Sequence, residues 1–420
     1  MGSYDLAVPG QRALISKTGL NWANDYPAKF TYTSTNPATE PRLTTKYIED
    51  KDYRKAQNCR AKIETLNFIY YVQNELGFVD WSVANDEGYN TAYNIEENLC
   101  EEIPAEFKEI EKNFPVMPYV RESRRMIGQY TLTAKDISRN ATLTYQSFAG
   151  QNATSYKSTN NFTDSVAIGT YPLDLHNCNN SSDLEAGLET IEDHPNDFRK
   201  GLFQIPLRTF IPQTVDGFLA AEKNISQSRY ANGATRLQPS TFAIGQAVGE
   251  LAVQSLKQNI QPRNIKSIDV QLKLLESNAS IANYIFLDIP KTNSDWSSAQ
   301  IASTYAYLVG YGNGNFGIND NLTREQMAVI LIRLLKETPS AKTISSFTDV
   351  DSNGYAHPSI ERLYELKVTG GCQASPLKFC PTSSLTKEQL AAFVIKVLKV
   401  DISQYPILPY YSDVASGYLF

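Results

Sequence analysis

The sequence predicts a mixed α+β or α/β body followed by small helix-rich repeats, and three observations lead there. At ~150 residues per domain, 420 residues make two to three domains. Up to about residue 265, helical apolar spacings alternate with short strand-like runs. After Asn264 the chain repeats itself.

Composition narrows the partners. A net charge of −6, from 39 Lys and Arg against 45 Asp and Glu, comes with no basic block that could neutralise a phosphate backbone, so nucleic acid is not expected. A membrane span is not expected either, because the longest apolar stretches are cut by Arg333 and Lys396 well short of the ~20 residues a bilayer helix needs. The start, Met1-Gly-Ser-Tyr-Asp-Leu, has no basic region before an apolar run and so no signal-peptide pattern. The five cysteines lack the spacing of a zinc or iron–sulfur site. Cys59, Cys100 and Cys178 are scattered, while Cys372 and Cys380 lie close together.

In chain order, residues 1–57 suggest strands and loops around Phe30-Thr-Tyr-Thr-Ser. From Ala56 to Leu76, Ile63, Leu66, Ile69, Val72 and Leu76 recur at helical spacing and Gly77 ends the run. A dense Arg121-Glu-Ser-Arg-Arg cluster precedes Gly128 and a polar turn into Asp136. Polar loops at 139–163 and 176–198 flank the apolar run from Val166 to His176. Gly217-Phe-Leu-Ala-Ala reads as a strand and Tyr230-Ala-Asn-Gly-Ala as a loop. A strong helix is expected from about Ser240 to Lys257, capped by Ser240 or Thr241.

The repeat starts are Phe286-Leu-Asp-Ile, Phe347-Thr-Asp-Val and Tyr411-Ser-Asp-Val. Leu322-Thr-Arg-Glu-Gln and Leu385-Thr-Lys-Glu-Gln open the closing helix of the first two, with Thr323 and Thr386 as N-caps and Gln326 and Gln389 completing capping boxes. This pattern resembles the S-layer homology domain, over 286–336 and 346–400 in full and 410–420 in part. The resemblance implies a cell-envelope location and an anionic secondary cell-wall polysaccharide as partner, bound by Arg324 and Lys387 at the two helix openings. A cation beside the N–H groups of a helix start suits an acidic sugar. Gly310-Tyr-Gly-Asn-Gly-Asn-Phe looks like a nucleotide-binding glycine loop, but no strand–helix unit surrounds it, and it reads as the repeat's turn. Cys372 and Cys380 sit in the equivalent loop of the second unit, where a disulfide is expected in an oxidising compartment.

Four ordered segments in residues 1–265 resemble a family of FAD-dependent oxidoreductases with a glutathione-reductase-like flavin fold, some labelled xanthan lyase. They are Phe68 to Gly77, Tyr119 to Gly128, Asp164 to His176, and Ile205 onward through Arg236-Leu-Gln-Pro-Ser-Thr to Gly249. That family opens on a Gly-x-Gly-x-x-Gly turn under the FAD pyrophosphate. No such turn precedes residue 60, so the resemblance implies the C-terminal part of the fold. It places Glu222 near the ribityl chain and the amides of Ser240, Thr241 and Phe242 at the flavin's pyrimidine edge. There a positive helix end favours the reduced, electron-rich ring.

A flavin oxidoreductase needs a proton acceptor and cations for its substrate, a small molecule or carbohydrate that the residues do not specify. His176 is the candidate base. Arg121, Arg124 and Arg125 beside Glu122 either clamp a hydroxyl-rich or carboxylate substrate or form a salt-bridged core. The expectation is a wall-anchored, FAD-dependent oxidoreductase. Its alternatives are a non-catalytic surface-binding protein with a structural flavin-fold remnant, and a flavin site completed by a second chain.

Overall fold

The computed structural model describes residues 45–90, 100–115, 117–138, 141–146, 152–174, 184–185, 187–190, 201–311 and 313–404. The expected strands around Phe30, His176, Cys178 and the third repeat start at Tyr411 lie outside these. The chain divides into two compact units, Met1–Arg121 and Glu122–Phe420.

In the first unit the expected amphipathic helix forms as α1, Lys51–Asn74. Its N-cap Asp50 accepts the amides of Asp52 and Tyr53, satisfying donors that a helix start leaves open. Cys59 on α1 is joined to Cys100, with Cα atoms 5.0 Å apart, and Ile103, Ile63 and Leu66 pack around the bridge. Spacing had left these two cysteines unassigned. Glu111, its side chain fully buried, ties the same region together by accepting from Lys62 at 3.3 Å and from the Cys100 amide at 2.6 Å.

The second unit is built on a four-stranded sheet of order β1-β2-β4-β3, with β1 Ala141–Gln146, β2 Asn152–Lys157, β3 Ser165–Gly169 and β4 Gly201–Pro206. The β1–β2 and β3–β4 pairs are antiparallel, and β2 meets β4 in parallel at Tyr156↔Gly201. Every residue of β4 is buried.

Two helices follow. Arg229–Thr235 (α2) replaces the expected glycine loop, because Ser228 caps it through the Ala231 amide and six of its seven residues are buried. Burial outweighs the helix-weakening Gly233 and Asn232. Gln238–Gln258 (α3) packs on β3 through Ile244, Ala247 and Leu251, and Ser267–Glu276 (α4) adds Val270, Leu274 and Leu275 to the same core. The Gly217–Ala221 run forms no strand. It is irregular backbone, tied by Ala220 N–H to Phe210 O at 3.0 Å, with Phe218 exposed.

The repeats continue this unit. The first contains α5 Trp296–Thr304 and α6 Arg324–Leu335; the second contains α7 His357–Glu365 and α8 Lys387–Leu398. Both capping boxes are present, on Thr323 with Gln326 and on Thr386 with Gln389. In each unit the aromatic-x-Asp start works the same way. The Asp288 carboxylate accepts the amides of Phe316, Gly317 and Ile318, and Asp349 those of Phe379 and Cys380. Each carboxylate therefore folds the loop some 30 residues downstream onto its own repeat. Among the described residues no helix is long and apolar enough to cross a membrane.

Candidate functional site

Three of the four family-like segments assemble in the second unit. Met126 N–H donates to Asn224 O and Gln129 N–H to Ile211 O, both at 2.9 Å, and Leu132 N–H reaches Ser226 O at 3.0 Å. Gly128 allows this approach, because a Cβ there would lie 2.7 Å from Ser226 Cβ. Thus 124–132 runs beside 209–228, β3 pairs with β4, and α3 covers β3. The first segment, in α1, belongs to the other unit.

Glu222 opens a 3-10 turn, Glu222–Asn224, against which α3 packs. It has a left-handed φ of +58°, and its exposed carboxylate lies 3.4 Å from Lys223 Nζ. An acid held outward at a strained position is available to hydroxyl groups.

The start of α3 differs from expectation by two residues. Leu237 is the N-cap, without a side-chain cap, and Pro239 sits in the first turn, where its missing N–H is not needed. Ser240 and Thr241 are therefore inside the helix rather than capping it. Thr241 Oγ1 donates to Gln238 O, and its amide to Leu237 O, both at 3.0 Å. Of the three expected amides, only that of buried Ser240 belongs to the first-turn donors without an intrahelical acceptor. Phe242 is 78% exposed. The residues present fit a flavin's pyrimidine edge: the helix is 21 residues long, its N-terminus is uncapped, and no acid in the first turn offsets the dipole.

Of the expected catalytic groups, His176 lies outside the described residues. Arg124 is exposed, and its carbonyl accepts Asn224 Nδ2 at 2.6 Å. Arg125 pairs with Glu185, which also accepts the Arg229 amide at 3.2 Å, while the Arg229 side chain lies 3.1 Å from Glu122. These links tie Arg125 and Glu122 of the cluster into a salt-bridged network. Sequence reasoning missed Arg236, whose buried guanidinium donates to Asp174 Oδ2 at 3.1 Å and Asp174 O at 3.2 Å. It anchors the segment that leads to His176. Its only sequence signal is its place in the Arg236-Leu-Gln-Pro motif.

The repeats treat their two expected cations differently. Arg324 is 5% exposed; Nε donates to Phe379 O at 2.8 Å, and the guanidinium lies 4.9 Å from the Phe379 ring and 5.6 Å from that of Phe393. Burial lowers its pKa from the usual arginine value. Lys387 is exposed. The two helix starts lie side by side, with Arg324 N–H donating to Ser383 O at 3.0 Å and Leu385 N–H to Leu322 O at 2.8 Å.

The glycine loop at 310–317 is not a phosphate cradle, since Asp288 already occupies the amides of Phe316, Gly317 and Ile318. Cys372 and Cys380 form the expected disulfide, Cα atoms 6.0 Å apart, across the hairpin of β5 Gln373–Ala374 and β6 Leu377–Lys378. Asp349 and these two sulfurs lie within 4.8 Å of one another, but the sulfurs are bonded together and the carboxylate holds backbone amides.

Residues 10–274, more than half of the chain, match the FAD dependent oxidoreductase family. The chain belongs to that family. Its members depend on FAD, and residues 285–328 match the S-layer homology domain, a module of cell-surface attachment. A cell surface protein of Thermoanaerobacter kivui is 33% identical over 119 residues, covering 27% of this chain and 15% of that protein. An endoglucanase of Bacillus sp. (strain KSM-635) is 29% identical over 135 residues, 31% of this chain and 14% of that protein. The chain thus spans about a seventh of the length of these curated relatives.

Proposed function

We propose that residues 1–265 supply the flavin-edge and substrate-side part of an FAD-dependent oxidoreductase. Repeats at 286–336, 346–400 and from 410 onward tether it to an anionic secondary cell-wall polysaccharide outside the cell. The observation that carries the redox half is the uncapped, acid-free start of α3, a helix that packs on the Glu222 turn. When bound, FAD would accept the hydride that oxidation of a C–H bond releases. The Ser240 amide, with Thr241 and Phe242 in the same turn, would face the ring's pyrimidine edge, and Glu222 would accept ribityl hydroxyls. His176 would take the substrate proton. Arg124, exposed, would contact the substrate, and Arg125 would hold that segment through Glu185. At the wall, exposed Lys387 would meet the polymer's acidic group, and buried Arg324 would hold the helix opening against the second repeat.

The test places a negative charge at the start of α3. In the flavin-loaded protein, Thr241→Glu should make the two-electron potential about 6–20 mV more negative, the equivalent of 0.3–1 kcal/mol at a helix N-terminus. An unchanged potential in a variant that still holds flavin would place the ring elsewhere. A chain that sediments with purified walls yet takes up no FAD, alone or with its flanking sequence, would favour the non-catalytic surface protein.

A further inference from the structure

A connection between two domains ordinarily runs over the surface, because buried irregular backbone leaves polar groups unpaired. The connection from α4 into the first repeat does the opposite: Ile281, Ala282 and Asn283 are buried. Their polar groups are met from both sides. Ile281 O accepts Ser165 Oγ of β3 at 2.6 Å and Gln204 Nε2 of β4 at 3.0 Å, while the amides of Ile281 and Ala282 donate to Gln300 Oε1 of α5 at 3.2 and 3.1 Å. The Ile281–Ala282 peptide is thus clamped between the sheet and the first repeat's leading helix.

Further contacts repeat the arrangement. Asn283 Nδ2 donates to Ser158 O at 2.8 Å and to Asn160 O at 3.2 Å, and Asn161 Nδ2 donates to Thr304 O, at the end of α5, at 2.5 Å. Gln271 of α4, fully buried, donates to Thr163 O and Ser165 O at 2.8 and 2.9 Å and accepts from Tyr305 Oη at 3.3 Å. The apolar side chains divide the repeat. Phe286, Ile289, Trp296 and Ala299 pack in the same core as Phe203 and Ile205 of β4. Met327, Leu331 and Ile332 of α6 instead share a core with Phe347, Ile360 and Phe379 of the second repeat.

We propose that the first repeat is a coupler and not a module in its own right: α5 closes the oxidoreductase body, α6 folds with the second repeat, and the boundary between the two cooperative units runs inside the repeat, between these helices. A repeat whose own helices are buried in different cores has little of its own to fold around, so each helix follows the neighbour that covers it. The sheet that α5 closes is the one that carries α3 on β3. The candidate flavin edge is therefore joined to the repeats by packed structure rather than by a swinging linker.

The test is native-state hydrogen exchange on the full 420-residue chain in low urea. Amides of α5 should share one opening free energy and one urea dependence with those of β3 and β4, and amides of α6 should follow those of α7. Gln300→Ala strips both connector amides of their acceptor and should speed exchange in α5 and β4 about tenfold while leaving α7 unchanged. Tyr305→Phe is milder, because it removes one hydroxyl donor; it should speed exchange in α5 and β4 about threefold, and it serves in place of Gln300→Ala where that variant does not fold. In the parent, α5 and α6 opening together and apart from β4 would show a self-contained repeat and overturn the coupler. Unchanged exchange of β4 in whichever variant folds would overturn it as well.

Discussion

The two complete repeats share their motifs and differ in what covers them. Each begins with an aromatic residue and an aspartate that folds its own loop, and each opens its closing helix with a Thr–Gln capping box. Yet Arg324 is buried and Lys387 exposed. The cover on Arg324 comes from the second repeat, as Phe379 and Phe393. In a chain of stacked repeats the environment of a motif residue is set by its neighbour rather than by its own unit.

The largest expected difference between the repeats is in stability. Arg324→Ala removes a stacked side chain and leaves the Phe379 carbonyl without its donor, so it should destabilise the chain by about 2–4 kcal/mol in urea melts. Lys387→Ala should stay within about 0.5 kcal/mol, as solvent-exposed changes do. Equal losses would mean that both cations are structural.

The second contrast lies in the loops. Only the second repeat closes its loop with a disulfide, and Cys372→Ser should cost about 2.6 kcal/mol, the chain entropy of a nine-residue ring. The first repeat, which fixes its loop with three amides on Asp288, should be unaffected by reducing agent. Hydrogen exchange of the Gly371–Cys380 and Gly310–Ile318 amides before and after reduction separates the two.

Much of this was legible in the sequence, and the exceptions share a physical cause. Thr323 and Thr386 were placed as caps because a capping box is local, and Cys372 with Cys380 because nine residues close easily. Cys59 and Cys100 are 41 residues apart, and spacing says nothing about whether a long loop is closed. α2 was taken for a loop because Gly233 and Asn232 weaken helices, whereas its burial is a tertiary fact. Gly217–Ala221 has the composition of a strand without a partner to pair with. At α3, Ser240 and Thr241 are good capping types, but Pro239 favours the first turn and moved the start to Gln238. For the candidate site, motifs pointed to Glu222 and to the presence of α3, though not to the residue at which α3 starts. Arg236 on Asp174 and the burial of Arg324 could not, because each depends on contacts 55 or more residues away.

A third contrast is pH. Burial alone would raise the Asp288 pKa, but amides from Phe316, Gly317 and Ile318 hold it below the usual aspartate value. Lowering a carboxyl in the folded state adds stability that is complete above the unfolded pKa of ~4 and is lost as pH falls through the folded value. In the second repeat Glu361 is likewise held low: burial opposes, and Ser345, Ser346 and Lys342 outweigh it. Both repeats should therefore weaken below pH ~4. Asp288→Asn should cost about 1–3 kcal/mol at neutral pH and flatten the first repeat's share of the acid dependence in urea melts from pH 2 to 6. A melt profile in that range identical to the parent's would show that the three amides contribute nothing to its acid response.

The smallest effect separates a tether from a scaffold. Lys387 is a single exposed charge, and its contact with a wall carboxylate is worth at most about 1 kcal/mol, or roughly fivefold in affinity. Lys387→Ala should reduce co-sedimentation with native walls by about that factor at 50 mM salt. The loss should shrink toward nothing near 0.5 M salt, where exposed charges are screened beyond about 4–5 Å. Lys387→Arg should restore binding, because a planar fork reaches a carboxylate at least as well as an ammonium. Because this change leaves stability alone and Arg324→Ala does not, a loss of wall binding in Lys387→Ala that persists in high salt would argue against a charge contact. A matching loss in both variants at equal folded fraction would return Arg324 to the polymer-binding surface.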